Sequence, residues 1–455
     1  MSEIQTVDAV WAWQPFRPTA AQRWDRVMAA HLLRRAGFGA DLETIDEATQ
    51  RSALEVVDEL VSKNREPSDF RSSAEALAEA TIAGNNPATL SAAWVYRLLY
   101  TPNQLLEKAT LFWHGHFATG AEKVQDARMM WNQNQLLRDH ALGDFGDLVH
   151  QISHDPAMLV YLDSVINRKA HPNENFAREL MELFCLGEGN YTEADVQELA
   201  RCFTGWEIRH GKFRKNRYQH DSDNKTVLGQ TGEFDGQDGV RVVLEQPSVE
   251  RFIVRKLYRF FVCDEPEPCD ELLQPLADLF RQSDLQVGPV LKRMLSSNFF
   301  FSDHSIGRKI KSPIELVIGM LRTFKATTNT QLIAQSLMNI GQGLFYPPNV
   351  KGWDGGRTWI NSSTLLGRAN LIADILANDA TRFDGGTLSD YLRGVGVTTT
   401  DEAIEHFEHC LLAVRLDETS KSELRETAAS QSGDNERKMR SLLHAFTSLP
   451  ICQLG

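Results

Sequence analysis

Apolar positions recur at intervals of three and four residues over most of the chain, a spacing that predicts one amphipathic helix after another. Trp24, Val27, Met28, His31, Leu32 and Arg35 follow such a stripe into Gly37, a helix stop. Leu54, Val57, Leu60 and Val61 share one face of the next helix. From Pro87 to Phe117 the spacing is carried by Trp94, Leu98, Leu105, Ala109 and Phe112, and Pro102 divides the stretch into two helices. Further helices are predicted over Val249–Val262, Leu272–Phe280, Val287–Leu295, Pro313–Phe324 and Leu332–Ile340. Strand-like alternation is rare. Between Lys212 and Gly232, turn-forming Asn and Asp residues around Val227 and Leu228 predict a short hairpin or an ordered loop. Gly341–Asn361 is a glycine- and proline-rich loop with Phe345, Tyr346, Trp353 and Trp359, of a length that a compact domain keeps mainly for binding. The expected fold is mostly α: a single large multi-helical globular domain with a short hairpin or loop insertion and few strands. Residues 1–380 read as the main helical domain. Residues 381–455 read as a charged helical extension, with Thr419–Gly433 its most polar and most mobile part.

Composition narrows the partners. A chain of 455 residues, 42% of them hydrophobic, can bury a large core. Its net charge of −13 repels nucleic-acid phosphates and anionic lipid surfaces. The densest basic run, Arg209, Lys212, Arg214, Lys215 and Arg217, is followed at once by Asp221 and Asp223, so nucleic acid is not an expected partner. No window approaches the roughly 20 apolar residues of a membrane span. Met1–Ala20 carries Glu3 and Asp8 and no basic start before an apolar block, which predicts a cytoplasmic location. The six cysteines are scattered without a CxxC pair and read as buried thiols.

Polar residues with chemical potential concentrate between His114 and Asp221. On a continuous helix His114 and His116 would point roughly 200° apart. Gly115 between them permits a departure from helical geometry that would let both rings meet one metal ion; their aromatic neighbours fit a structural corner as well. Asp155 before Pro156 reads as a helix cap. In Asn173–Phe184, Phe176, Leu180, Leu183 and Phe184 form one face of a helix, while Asn175, Arg178, Glu179 and Glu182 form the opposite face. Those carboxylates belong either to a solvated face with Glu–Arg pairs or to a polar cavity that they share with the histidines. Thr192 and Asp195 form a capping box. His220, Asp221 and Lys225 lie in a loop that matches neither a calcium-binding loop nor a phosphate-binding loop. Trp353 and Trp359 flank a glycine pair and either stack on a sugar or other planar ligand, oriented by Asp354 and Arg357, or pin the loop to the core.

In order along the chain, several blocks resemble a large bacterial family known as domain of unknown function 1800. They are His31–Gly39, Trp113–Phe117, Asn173–Leu183, Tyr191-Thr192-Glu193, Thr204-Gly205-Trp206, His220-Asp221 with Lys225, Lys256-Leu257, Lys311-Ser312-Pro313 and Val350–Trp353. The resemblance covers nearly the whole chain and implies one helical unit. It also implies a sulfatase- or phosphatase-like partner, because relatives are often found beside such a family. Many relatives are exported, and this chain departs from them in lacking a recognisable signal. The leading expectation is an enzyme with a metal or small-ligand site in a helical cavity, its chemistry hydrolytic or oxidative. His114, His116, Glu182 and His220 are the candidate ligands for a divalent or transition metal ion. Glu179, Arg178, Asp221 and Lys225 are the candidate catalytic groups, and Trp353, Arg357 and Trp359 the candidate ligand contacts. The rival expectation is a non-catalytic binding or assembly protein in which the same residues form a buried network.

Overall fold

Helices form where the apolar stripes place them, and side chains set their ends. In the computed structural model, which describes residues 7–20, 22–63 and 65–455, Asp25 caps the helix Arg26–Ala36 by accepting from the backbone of Val27 and Met28. Residues 1–6, the start of the segment read for an export signal, lie outside the described residues. The break at Pro102 is real: the helices Pro87–Tyr100 and Gln104–His116 lie on either side of it. Ser312 and Glu315 form a capping box on the helix Pro313–Thr323, as Thr192 and Asp195 do on Glu193–Cys202. Among the described residues there are twenty-four α-helices and three two-stranded sheets. Two of those sheets are consecutive hairpins where one short hairpin or loop is predicted over Lys212–Gly232, and the first begins ahead of that range, at Trp206. Trp206–Arg209 pairs with Lys212–Lys215, and Lys225–Val227 pairs with Gln230–Gly232. No helix among the described residues is long and apolar enough to cross a membrane, and the cysteines are free.

The helices surround two hydrophobic cores. Phe145, Leu180, Phe184, Leu257 and Phe261 lie in the first, and Trp94, Val317, Phe324 and Phe345 in the second. Residues beyond 380 add Leu388, Phe407, Leu442 and Phe446 to this second core. The helix Gln104–His116 runs between them, buried on nearly every side, with Phe112 in the first core and Leu111 in the second. Burial all round is the mark of a central helix, and it forces the polar residues of that helix to find partners inside. Glu107 does so with Arg138, whose Nε and Nη2 donate to it at 2.9 and 2.7 Å, and with the Trp94 indole. Arg97, beside this pair, is matched by Glu66.

The stretch Asn173–Phe184 departs from the regular amphipathic helix expected there. Asn175–Glu179 is α-helical, but Leu180–Cys185 widens into a π-turn, closed by a bond from the Leu186 N–H to the Met181 carbonyl at 2.8 Å. Apolar spacing alone does not separate the two, because one wide turn shifts the faces by only a fraction of a turn.

Candidate functional site

A cavity of about 240 Å³ opens where the two cores meet. Leu111 and Phe112 of the central helix line it from one side, and Phe260, which packs against both cores, from another. Lys256 and Arg259 enter from the helix Ser248–Phe261, Glu315 from the first turn of Pro313–Thr323, and Lys309 and Ser312 from the segment leading into that turn. Lys351, Trp353, Asp354 and Trp359 enter from the glycine-rich loop. Lys256, Arg259 and Lys351 also border an open groove of about 1010 Å³ that adjoins the cavity.

Lys256 and His116 are joined through the end of the π-turn. The carbonyls of Leu183 and Phe184 fall in the last turn of that helix, where no intrahelical N–H reaches them. Lys256 Nζ donates to Leu183 at 2.9 Å, and His116 Nε2 pairs with the Phe184 carbonyl at 2.9 Å. The ammonium also donates to His116 Nδ1 at 3.2 Å, so the imidazole is neutral with its proton on Nε2. Burial, and then the charge of Lys256, holds His116 well below the usual histidine range. Burial brings Lys256 itself down to about 8, with Arg259 adding to the effect and the Cys185 thiol opposing it. Two of the three ammonium N–H bonds are thus committed, and the third is available to the cavity. At the other wall, burial pushes Glu315 up, but Lys108, Lys309 and the Ser312 backbone outweigh it and hold the carboxyl at about 2. Asp264 accepts from Lys309 and from the Ile310 N–H, each at 2.9 Å.

The expected metal-ligand set of His114, His116, Glu182 and His220 does not come together. Gly115 stays helical, so His114 and His116 leave the helix in different directions and enter different cores. His114 lies among Trp94, Phe345 and Trp353, accepts from the Phe345 N–H at 3.1 Å, and is driven down to about 3 by burial. His116 sits among Phe112, Phe117 and Phe184. His220 Nδ1 is bonded to the Thr204 carbonyl at 3.0 Å. Glu182 accepts from the Tyr191 hydroxyl and borders the outer groove. Among the described residues, no group of three or more His, Cys, Asp or Glu side chains is placed to hold a metal ion.

The expected catalytic groups are also spread out. Arg178 is tied on the surface to Glu193 at 2.7 Å and to Glu174 at 3.0 Å, which is the solvated-face arrangement. Asp221 receives Arg201 at 2.7 Å, and the buried Lys225 staples its own loop by donating to the carbonyls of Asp221 and Asp223. Glu179 is half-buried. Burial and Glu182 raise it, while Arg178 and Lys351 oppose them. Of the three expected ligand contacts, Trp353 and Trp359 reach the cavity, whereas Arg357 pairs with Glu265 at 2.7 Å at the surface.

Gly115 has a packing role instead. The ring of Trp353 lies over it, 3.6 Å from where a Cβ would stand, and Trp353 Nε1 donates to the Gly341 carbonyl at 2.9 Å. Gly352, at φ +78°, passes so close that a Cβ there would lie 2.0 Å from the Gly115 carbonyl oxygen. Gly352→Ala is therefore expected to cost about 2–4 kcal/mol in urea denaturation and to lift Trp353 from the cavity, seen as a red shift of tryptophan emission. An unchanged spectrum and midpoint would show that the loop does not need this contact.

Asp155 is a cap, as expected, but a buried one. Its Oδ1 accepts from the Met158 N–H at 2.9 Å and from Gln133 at 2.7 Å. Burial pushes its carboxyl up to about 7, against those hydrogen bonds. An unfolded aspartate titrates near ~4. The folded state therefore keeps a proton that the unfolded chain releases. The stabilisation is full below that lower value and is lost as pH rises through about 7. Asp155→Asn keeps the cap acceptor and cannot ionise. It should be the more stable protein at pH 8 by roughly 1–3 kcal/mol, with the gap closing towards pH 4. Parallel urea-denaturation profiles for the two proteins would show that the carboxyl ionises freely.

The cavity gathers residues the spacing rules did not place together. Lys256, the pair Lys309 and Glu315, and Lys351 come from three segments far apart in the chain, and of these four only Lys256 and Lys351 fall inside blocks that carried the family resemblance. Compared with known families, the chain matches over residues 31–454 the one described as "Protein of unknown function (DUF1800)". No curated protein and no solved structure matches it.

Proposed function

The chain belongs to this family of unknown function, DUF1800, and from that premise we propose that it is an enzyme that takes a small organic anion bearing a ring into the cavity between Lys256 and Trp353. The observation that carries the reading is the pairing of cations and tryptophans in one cavity of a chain whose net charge is −13. Lys256, Arg259 and Lys351 supply positive charge for the anionic end, and Trp353 and Trp359 supply flat apolar surface for the ring. Lys256, brought down to about 8, exchanges a proton near neutral pH. Acid–base chemistry on the bound molecule is the reaction class these groups support. His116 positions the amine by accepting one of its N–H bonds.

Calorimetric titration with benzoate, p-nitrophenyl sulfate, inorganic sulfate and p-nitrophenol, compared at pH 6 where the phenol is uncharged, tests this. The two aryl anions are expected to bind at least about tenfold tighter than sulfate or the phenol, since each of the latter lacks one of the two recognition elements. Aryl-anion affinity should fall as pH rises through about 8, where Lys256 loses its charge. Equal affinity for the phenol and its sulfate ester would sink the proposal.

A further inference from the structure

Beneath the cavity lies a second, much smaller void of about 20 Å³, and its surroundings carry far more positive than negative charge. Arg34, Arg35, Lys309 and Lys311 line it, with Lys108 and Arg368 just behind, and all six are buried. Set against these six are the side-chain carboxylates of Glu315 and Asp264, together with Gly455 at the end of the chain, which also lines the void and accepts from Arg35 Nη1 at 3.1 Å. Buried positive charge in excess of its partners is strongly disfavoured unless something compensates it.

The hydrogen-bond pattern shows where compensation is missing. Lys108 is complete, donating to the carbonyls of Arg34 and Gly37 and to Glu315. Lys311 has two acceptors, the carbonyls of Leu411 and Cys452, and Lys309 has two, Asp264 and the Arg259 carbonyl. Each lysine therefore keeps one N–H without an acceptor. Arg34 is 7% exposed and reaches only the Cys410 carbonyl through Nη1; its Nε and Nη2 have no partner, nor does Arg35 Nε. The uncommitted guanidinium and ammonium N–H groups around the void are all donors, and an acceptor placed there would meet several of them.

We propose that this void is a binding site for one halide ion, chloride under ordinary conditions, held by Arg34, Lys309 and Lys311. A space of about 20 Å³ admits one ion little larger than water and excludes sulfate or phosphate. The remaining lining, Phe38, Leu316, Met320 and Leu411, is apolar and favours a weakly hydrated monovalent ion over a strongly hydrated one. Lys309 and Glu315 line both the void and the larger cavity, so the ion sets the charge of the cavity floor.

The test replaces sodium gluconate by sodium chloride or bromide at constant ionic strength, following the thermal midpoint of the whole chain. A saturating rise is expected with either halide, and Arg34→Met should abolish it while Arg34→Lys retains it. Should Arg34→Met fail to fold, crystals of the unaltered protein grown in bromide decide the matter. An anomalous peak between Arg34 and Lys311 supports the site, and bromide confined to the surface overturns it. Equal midpoints in gluconate and halide overturn it as well. So does a midpoint that rises with pH above about 8 whether or not halide is present, because the buried lysines would then shed the surplus charge as protons.

Discussion

Glu107→Ala is expected to destabilise the protein by about 3–5 kcal/mol in urea denaturation, the largest effect of any single substitution considered for the core. The carboxylate lies on the central helix and neutralises Arg138 through two hydrogen bonds while accepting the Trp94 indole. Without it, two fully buried guanidinium groups, Arg138 and Arg97, share Glu66 alone. Burial opposes the charge of Glu107, yet Arg138 and Arg97 still hold its carboxyl below the usual range, so the pair is ionised across the neutral range. The double substitution Glu107→Leu with Arg138→Leu should cost less than Glu107→Ala, since it leaves one fewer unmatched charge. A loss below about 1 kcal/mol for Glu107→Ala would mean that water reaches Arg138 and that the cluster is not sealed.

Lys256→Met should lower aryl-anion affinity by about 10–100-fold, the value of a charge-assisted contact in a sheltered site. It should also cost about 1–3 kcal/mol of stability, because the Leu183 carbonyl and His116 Nδ1 lose their donor. Lys256→Arg separates the two effects. It keeps the charge and can recover binding, but a guanidinium does not titrate near neutral pH, so the loss of affinity above about 8 should disappear. Full affinity in Lys256→Met would place the anion elsewhere.

What the sequence reveals and what it hides follow from the range of each force. Helix ends are local: Asp155 before Pro156, Thr192 with Asp195, and the break at Pro102 are set by neighbours within four residues, and all stand where the pattern puts them. The hairpin of Lys225–Gly232 is legible for the same reason, whereas the strand Trp206–Arg209 that opens the first hairpin lies outside the range its turn residues mark. His114 and His116 mislead because Gly115 is read as a break, when the backbone stays helical to let Trp353 and Gly352 pack against it. The π-turn carries no local signature. The cavity cations are the least legible, since a lysine is ordinarily a solvated residue, and only the meeting of three distant segments brings Lys256, Lys309 and the still exposed Lys351 around one space. The Trp353 loop is the exception, because its length and composition flag it without any knowledge of what lies opposite.

The helix Gln104–His116 gives Phe112 to one core and Leu111 to the other. Such an element cannot turn about its axis without disturbing packing on both sides at once. It therefore acts less as a wall between two halves than as the shaft on which both are fixed. The halves have no free hinge at the cavity, and the binding free energy of any molecule held there is shared by both cores.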